Sequence, residues 1–155
     1  MIEIEKKFLV LPGKWPKGST QIQIDQGYMV REDGMVIRVR RKNEQCYLSV
    51  KAKIDVYSSY DFEYPIPESD AQVMLEHLCT GGIVRKTRHE VRHEDMLWEI
   101  DEFHGDNRGL VVAEIELPEQ DTDFNLPSWI GEEVTHDSRY RNASLAALPY
   151  THWQE

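Results

Sequence analysis

Cysteine is nearly absent: Cys46 and Cys79 are the two the chain has, and they stand far apart. No Cys-x-x-Cys or Cys/His grouping accompanies them, so neither zinc nor a disulfide framework organises the fold. Long apolar runs and a leader segment are also missing, which predicts a cytoplasmic protein with no membrane partner. Positive charge is scarce. Lys and Arg number 18 against 28 Asp and Glu, giving a formal net charge of −10. Such a balance disfavours a nucleic-acid polymer as partner, although it leaves room for a basic interior site. No low-complexity tract, linker or repeat interrupts the chain. The six histidines, His77, His89, His93, His104, His136 and His152, are scattered and support no Ser/His/Asp chemistry.

What the chain has is alternation. Its 155 residues are enough for one domain, 1–155, with a real core. In Ile2-Glu3-Ile4-Glu5-Lys6-Lys7-Phe8, read as a strand, Ile2, Ile4 and Phe8 share one face, and Glu3, Glu5 and Lys7 share the other. The same period recurs through Gln21 to Met29, Val36 to Arg41, Tyr47 to Lys53, Tyr60 to Ile66, Ile83 to Arg92, Leu97 to Phe103 and Leu110 to Leu117. Turn residues such as Glu32-Asp33-Gly34 punctuate these segments. Glu68 to Cys79 changes period: Ala71, Met74, Leu75 and Leu78 make the apolar stripe of a helix, with Ser69 as candidate N-cap and Gly81-Gly82 as stop. A last short helix is expected over Asn142 to Leu148, capped by Asn142. About eight strands in hairpin order predict a mainly antiparallel β (α+β) fold.

The charged faces are sorted by sign. Acid pairs occur as Glu3 with Glu5, Asp61 with Glu63, Glu99 with Asp101, and Glu114 with Glu116. Basic pairs occur as Arg38 with Arg40, Lys51 with Lys53, and Lys86 with Arg88. Like charges adjacent on one strand face repel, so seven such pairs cost stability unless something binds between them. An eight-stranded closed β-barrel tunnel would gather these faces into a charged lumen, with the apolar faces outward under a few outer helices. Paired carboxylates suit Mg²⁺ or Mn²⁺, and Arg and Lys suit phosphate oxygens. Together they suit a small, highly anionic chain carried with divalent metal, a description that polyphosphates meet.

These residues resemble the CYTH family, also called triphosphate tunnel metalloenzymes. The likeness rests on the opening Glu3-Ile4-Glu5-Lys6-Lys7, supported by Gln26-Gly27-Tyr28, Arg38-Val39-Arg40, Lys51, Lys86-Thr87-Arg88, Glu99-Ile100-Asp101 and Glu114-Ile115-Glu116. The run Gly131 to Asn142 also looks like the family's. The resemblance implies an eight-stranded tunnel that binds triphosphate and metal. With Phe8-Leu9-Val10 following, it is most similar to short bacterial inorganic triphosphatases. It leaves a homodimer open. One departure concerns Tyr57-Ser58-Ser59-Tyr60-Asp61-Phe62-Glu63: no arginine precedes the acid pair, and the first acid is shortened to Asp61, so its part in the site is in question.

On this likeness, Glu3, Glu5, Glu63, Glu99, Asp101, Glu114 and Glu116 are expected to hold Mg²⁺ or Mn²⁺. Arg38, Arg40, Lys51, Lys53, Lys86 and Arg88 are expected to grip phosphate oxygens, with Arg139 at the tunnel mouth. Lys7 and Tyr28 are expected to take catalytic parts, as a cation beside the scissile phosphate and as a hydrogen-bond donor. The bland alternative for the acids and bases is mutual ion pairing across the lumen. The expected activity is metal-dependent hydrolysis of inorganic triphosphate. Adenylate cyclase and thiamine triphosphatase are rivals within the family, and a non-catalytic polyphosphate or nucleotide sensor is the rival outside it.

Overall fold

The computed structural model describes residues 1–18 and 20–153. Its strands are β1 (Ile2–Val10), β2 (Thr20–Glu32), β3 (Met35–Lys42), β4 (Gln45–Lys53), β5 (Ser58–Ile66), β6 (Thr80–His93), β7 (Met96–Phe103), β8 (Val111–Glu116) and β9 (Ile130–Glu133). All neighbours are antiparallel, in the order β5-β4-β3-β2-β6-β7-β8-β1, and β1 pairs back with β5 to close an eight-stranded barrel. The expected barrel is therefore present. β9, which was not foreseen, is an extra strand laid against β1.

β1 closes the ring by dividing its edges. Ile2 to Ile4 pair with β5, Glu5 to Leu9 pair with β8, and Phe8 and Val10 pair with β9. The β2–β3 turn forms where Asp33 and Gly34 both take positive φ, 47° and 78°, the left-handed pair that a tight hairpin needs. No helix among the described residues is long and apolar enough to cross a membrane.

The outer wall is covered in two places. Phe8, Trp98, Ile100, Ala113, Ile115 and Leu117 lie under Trp129, Phe124 and Trp15. Helix α1 (Glu68–Val73), which runs on into one π-type turn over Met74–Leu78, buries Ala71 against Val39 and Cys46. The helix ends at Leu78, and Thr80 to Gly82 already belong to β6. Pro67, with φ −61° and ψ 145°, takes the N-cap position in place of Ser69, which lies within the helix.

The second helix departs most from expectation. Helix α2 (Asn142–Ala147) plugs one end of the barrel instead of lying outside it. Leu145 and Ala146 pack with Tyr28, Val84, Phe103 and Val112. Those four side chains share inward strand faces with Gln26, Lys86, Asp101 and Glu114. The lumen is therefore charged along its middle and apolar where α2 seals it.

Candidate active site: a tunnel with an acidic and a basic end

Two adjoining cavities run through the barrel, of about 620 and 490 Å³. Glu5, Arg38, Arg40, Lys51, Arg88 and Glu114 border both. Towards α2 the larger cavity adds Lys7, Tyr28, Lys53, Lys86 and Arg141. At the opposite mouth the smaller one adds Glu3, Asp61, Glu63, Glu99 and Glu116. Inside the barrel the bases gather towards α2 and the acids towards the opposite mouth, while Glu32, Asp33, Asp55 and Asp137 also line the larger cavity. The cause is local: Lys7, Glu5 and Glu3 descend one face of β1, and on β8 Glu114 precedes Glu116 in the reverse direction.

A dense ion-pair network fixes the basic side chains. Arg88 donates through Nε to Asp101 Oδ1 at 2.8 Å and through Nη2 to Oδ2 at 2.9 Å, and its Nη1 reaches Glu99 Oε2 at 3.2 Å. Lys86 Nζ donates to Asp101 Oδ2 at 2.8 Å and to Asn142 Oδ1 at 3.0 Å. Lys7 Nζ donates to the Tyr140 carbonyl at 3.2 Å and stands 3.6 Å from Glu114 Oε1. Arg38 is held by Ser49 Oγ at 3.1 Å and Glu63 Oε2 at 3.4 Å. Lys51 lies 3.7 Å from Glu3 and 4.0 Å from Glu5.

The electrostatics follow from burial and crowding. Burial, reinforced by Arg38 and Arg88, lowers the Arg40 guanidinium to about 10. Burial brings Lys86 down to about 8 even though Asp101 supports its charge. Burial opposes charge on Lys51 too, but Glu5 and Glu3 outweigh it and raise the ammonium above its usual value. Among the acids, burial raises Glu3 to about 7 against the pull of Lys51, and Asp61, Glu116 and Glu5 push the same way. Burial also raises Glu99. Asp101 and Glu114 are deeply buried, yet their cations prevail: Arg88 and Lys86 hold Asp101 well below the carboxylate range, and Lys7 leads in holding Glu114 down.

The family implied by the sequence uses a divalent metal, and the acid mouth fits one. Glu5 and Glu116 are direct cross-strand partners, as are Glu99 and Glu114. Like charges so placed are destabilising. Asp61 Oδ1 is buried without a hydrogen-bond partner. Among the described residues no three such side chains are already drawn into a closed ligand shell. Hard oxygens in excess of nearby donors still match a hard cation.

Most expected site residues come together. Glu3, Glu5, Glu63, Glu99, Glu114 and Glu116 border the tunnel, as do Lys7, Tyr28, Arg38, Arg40, Lys51, Lys53, Lys86 and Arg88. Two do not. Asp101 borders neither cavity, and Arg88 and Lys86 occupy both its oxygens, an arrangement that anchors those cations. Arg139 points outward, paired with Asp137 at 2.6 Å and lying 4.7 Å from the Trp153 ring centroid. Arg141, two residues on, borders the cavity instead. Asn142 was expected to cap α2, but its side chain accepts from Lys86 while Arg141 holds the cap position. Asp61, left aside in the sequence reading, lines the acid mouth. Its alternation with Glu63 is the signal that was available.

Comparison with known proteins agrees with this geometry. The model of the CYTH domain matches residues 1–150. An inorganic triphosphatase of Acetivibrio thermocellus is 41% identical over 153 residues, covering 99% of this chain and 98% of its own. Another, from Nitrosomonas europaea, is 34% identical, covering 94% and 97%. The crystal structure of an inorganic triphosphatase superposes with a TM-score of 0.68 at 33% identity, covering 93% of each chain.

Proposed function

The chain belongs to the CYTH family, and from that premise we propose that it hydrolyses inorganic triphosphate to pyrophosphate and phosphate inside its tunnel, with Mg²⁺ or Mn²⁺ as the metal. The observation that carries this reading is the juxtaposition within one tunnel of opposed acids, Glu5 with Glu116 and Glu99 with Glu114, and the cations Arg38, Arg40 and Arg88. Ion pairing with the cations accounts for part of the acids but not for setting Glu5 opposite Glu116, and a metal site alone has little use for so many cations. A metal-carrying polyanion uses both.

In this reading triphosphate lies along the shared middle of the tunnel, where Arg38, Arg40, Lys51 and Arg88 donate to its oxygens. Glu3, Glu5, Asp61, Glu63, Glu99, Glu114 and Glu116 are the residues available to hold the metal. When bound, the metal would offset phosphate charge and make water more acidic. Water adds to phosphorus as the anhydride P–O bond breaks; the electron pair of that bond goes to the leaving phosphate oxygen, and the proton that water loses passes to a phosphate oxygen or to solvent. Fixed cations stabilise that developing charge without reorganising. Arg88 suits this part because Asp101 and Glu99 already set its plane. Lys86, lowered by burial but held by Asp101 and Asn142, adds a further donor towards α2. Lys7 and the Tyr28 hydroxyl complete the donor set at the plugged end.

The test is a phosphate-release screen with triphosphate, ATP and thiamine triphosphate, each with Mg²⁺ and with Mn²⁺, with cyclic AMP assayed in the ATP arm. Preferred turnover of inorganic triphosphate is the expected result. Preference for a nucleotide, or tight binding of triphosphate with no metal-dependent turnover, would overturn the assignment.

A further inference from the structure

Gln26 lies on the inward face of β2, fully buried, and borders neither cavity. Its amide nonetheless joins two side chains that border the larger one. Arg40 Nε donates to Gln26 Oε1 at 3.2 Å, and Gln26 Nε2 donates to the Tyr28 hydroxyl oxygen at 2.7 Å. The register produces this contact: Gln26 is the cross-strand partner of Arg40, and Tyr28 follows two positions along the same face.

The direction of the relay is fixed from the Arg40 end. A guanidinium can only donate, so the Gln26 atom facing it must be the carbonyl oxygen. The amide nitrogen therefore faces Tyr28, and an amide nitrogen can only donate. The phenolic oxygen is taken as acceptor, and the hydroxyl proton must go elsewhere. Tyr28 otherwise lies in a cluster with the apolar side chains Val84, Phe103, Val112, Leu145 and Ala146, which offer no acceptor, and it borders the larger cavity, where one can stand.

We infer that Gln26 is a positioning residue that makes the Tyr28 hydroxyl an obligate donor into the tunnel while holding the plane of the Arg40 guanidinium. Both effects need an amide. An apolar residue of the same size would release both partners. A carboxylate would keep Arg40 but would demand the Tyr28 proton for itself, turning the hydroxyl away from the cavity. The site thus spends a fully buried polar side chain on setting the polarity of one hydroxyl, which explains why this strand face carries glutamine between an isoleucine, Ile24, and a tyrosine.

The inference rests on the proposed hydrolysis of triphosphate, and the test separates the two. Steady-state kinetics are measured for the parent, Gln26→Glu, Tyr28→Phe and the double variant. Gln26→Glu should lower kcat about ten- to a hundredfold, the range for a hydrogen bond to a charged group, with KM nearly unchanged. Tyr28→Phe should do the same, and the double variant should be no worse than either single one. Full kcat in Gln26→Glu, or losses that multiply in the double variant, would overturn the inference. If Gln26→Glu does not fold, Gln26→Met replaces it. That variant should raise KM as well as lower kcat, because Arg40 is freed, and adding Tyr28→Phe should cost no further kcat; multiplied losses again overturn it. A parent enzyme that turns over no triphosphate sinks the proposed function instead. Calorimetric binding of tripolyphosphate then decides for Gln26: Gln26→Met should weaken it, because Arg40 is freed, while Gln26→Glu and Tyr28→Phe leave it nearly unchanged; undiminished binding in Gln26→Met, or an equal loss in Gln26→Glu, would overturn the assignment.

Discussion

Arg88 and Asp101 face each other across β6 and β7 as direct register partners and form a two-bond fork, with Nε to Oδ1 at 2.8 Å and Nη2 to Oδ2 at 2.9 Å. The pair is buried, so removing Asp101 takes from Arg88 two of its three hydrogen bonds to carboxylates and from Lys86 its carboxylate partner. Asp101→Ala should cost about 3–5 kcal/mol of stability, the range for breaking a buried ion pair from one side. Urea unfolding measures it. Excess Mn²⁺ should not restore the lost activity, because Asp101 positions cations. A variant as stable as the parent, or one rescued by metal, would contradict this.

Glu116 and Arg40 should fail in different ways. Glu116 is exposed at the acid mouth, opposite Glu5, so Glu116→Ala relieves a repulsion and should raise the metal requirement, with partial rescue by excess Mn²⁺. Arg40 is buried in the middle of the tunnel. Arg40→Ala should lower kcat/KM by a transition-state loss of about 2–4 kcal/mol, the size seen for single electrostatic donors, with no metal rescue. A metal titration of both variants, accompanied by melting curves, distinguishes them.

Stability should depend jointly on pH and metal through Glu3. Its folded value, about 7 against an ordinary 4.5, means that the folded state binds the proton more tightly than the unfolded one. The contribution is complete below about 4.5 and disappears as pH rises through about 7. The metal-free protein therefore loses this increment between those limits. A divalent ion needs the deprotonated form, so its stabilisation should grow over the same interval. Thermal-shift measurements with and without Mg²⁺ at pH 5.5 and pH 8 should show the larger increase in Tm at pH 8. Equal increases would remove Glu3 from the metal site.

Arg141 and Arg139 offer a paired control. Arg141 borders the cavity and, after burial, is the main influence lowering the nearby Lys53. Arg141→Ala should raise KM for triphosphate about tenfold, as for loss of one charge-assisted contact. Arg139→Ala should leave KM unchanged, since that side chain is engaged with Asp137 outside the tunnel. Equal effects would mean that the mouth is arranged differently in solution.

How much of this was legible in the sequence differs from element to element. The barrel was, because charge sign and apolar alternation change together along Glu3 to Phe8, Val36 to Arg41 and Leu97 to Phe103, and only a closed sheet gives such faces a common interior. β9 was not, since four residues, Ile130 to Glu133, are too few to establish a period. Arg139 and Arg141 could not be told apart: the single 3₁₀ turn Ser138–Tyr140 breaks the two-residue period that had served for the strands. The role of Asp101 was hidden for another reason. Alternation assigns a carboxylate to the lumen, but its partner depends on cross-strand register, and the sequence does not state that Arg88 lies opposite. The apolar plug was masked by the shortness of α2, whose Leu145 and Ala146 are its buried residues.

The divided edges of β1 have a consequence for the order in which this molecule is made. Glu3 and Glu5 leave the ribosome before the strands that flank them, β5, β8 and β9, the last ending at Glu133. Ring closure must therefore wait until β8, which ends at Glu116, has been synthesised, and closing so long a loop slows folding. Until β1 docks, the sheet from β5 through β8 is an open array with two unpaired edges, the form most exposed to pairing with another nascent chain. Closure needs β1 against both β5 and β8, so the tunnel that gathers the acids and bases exists only once the ring is complete.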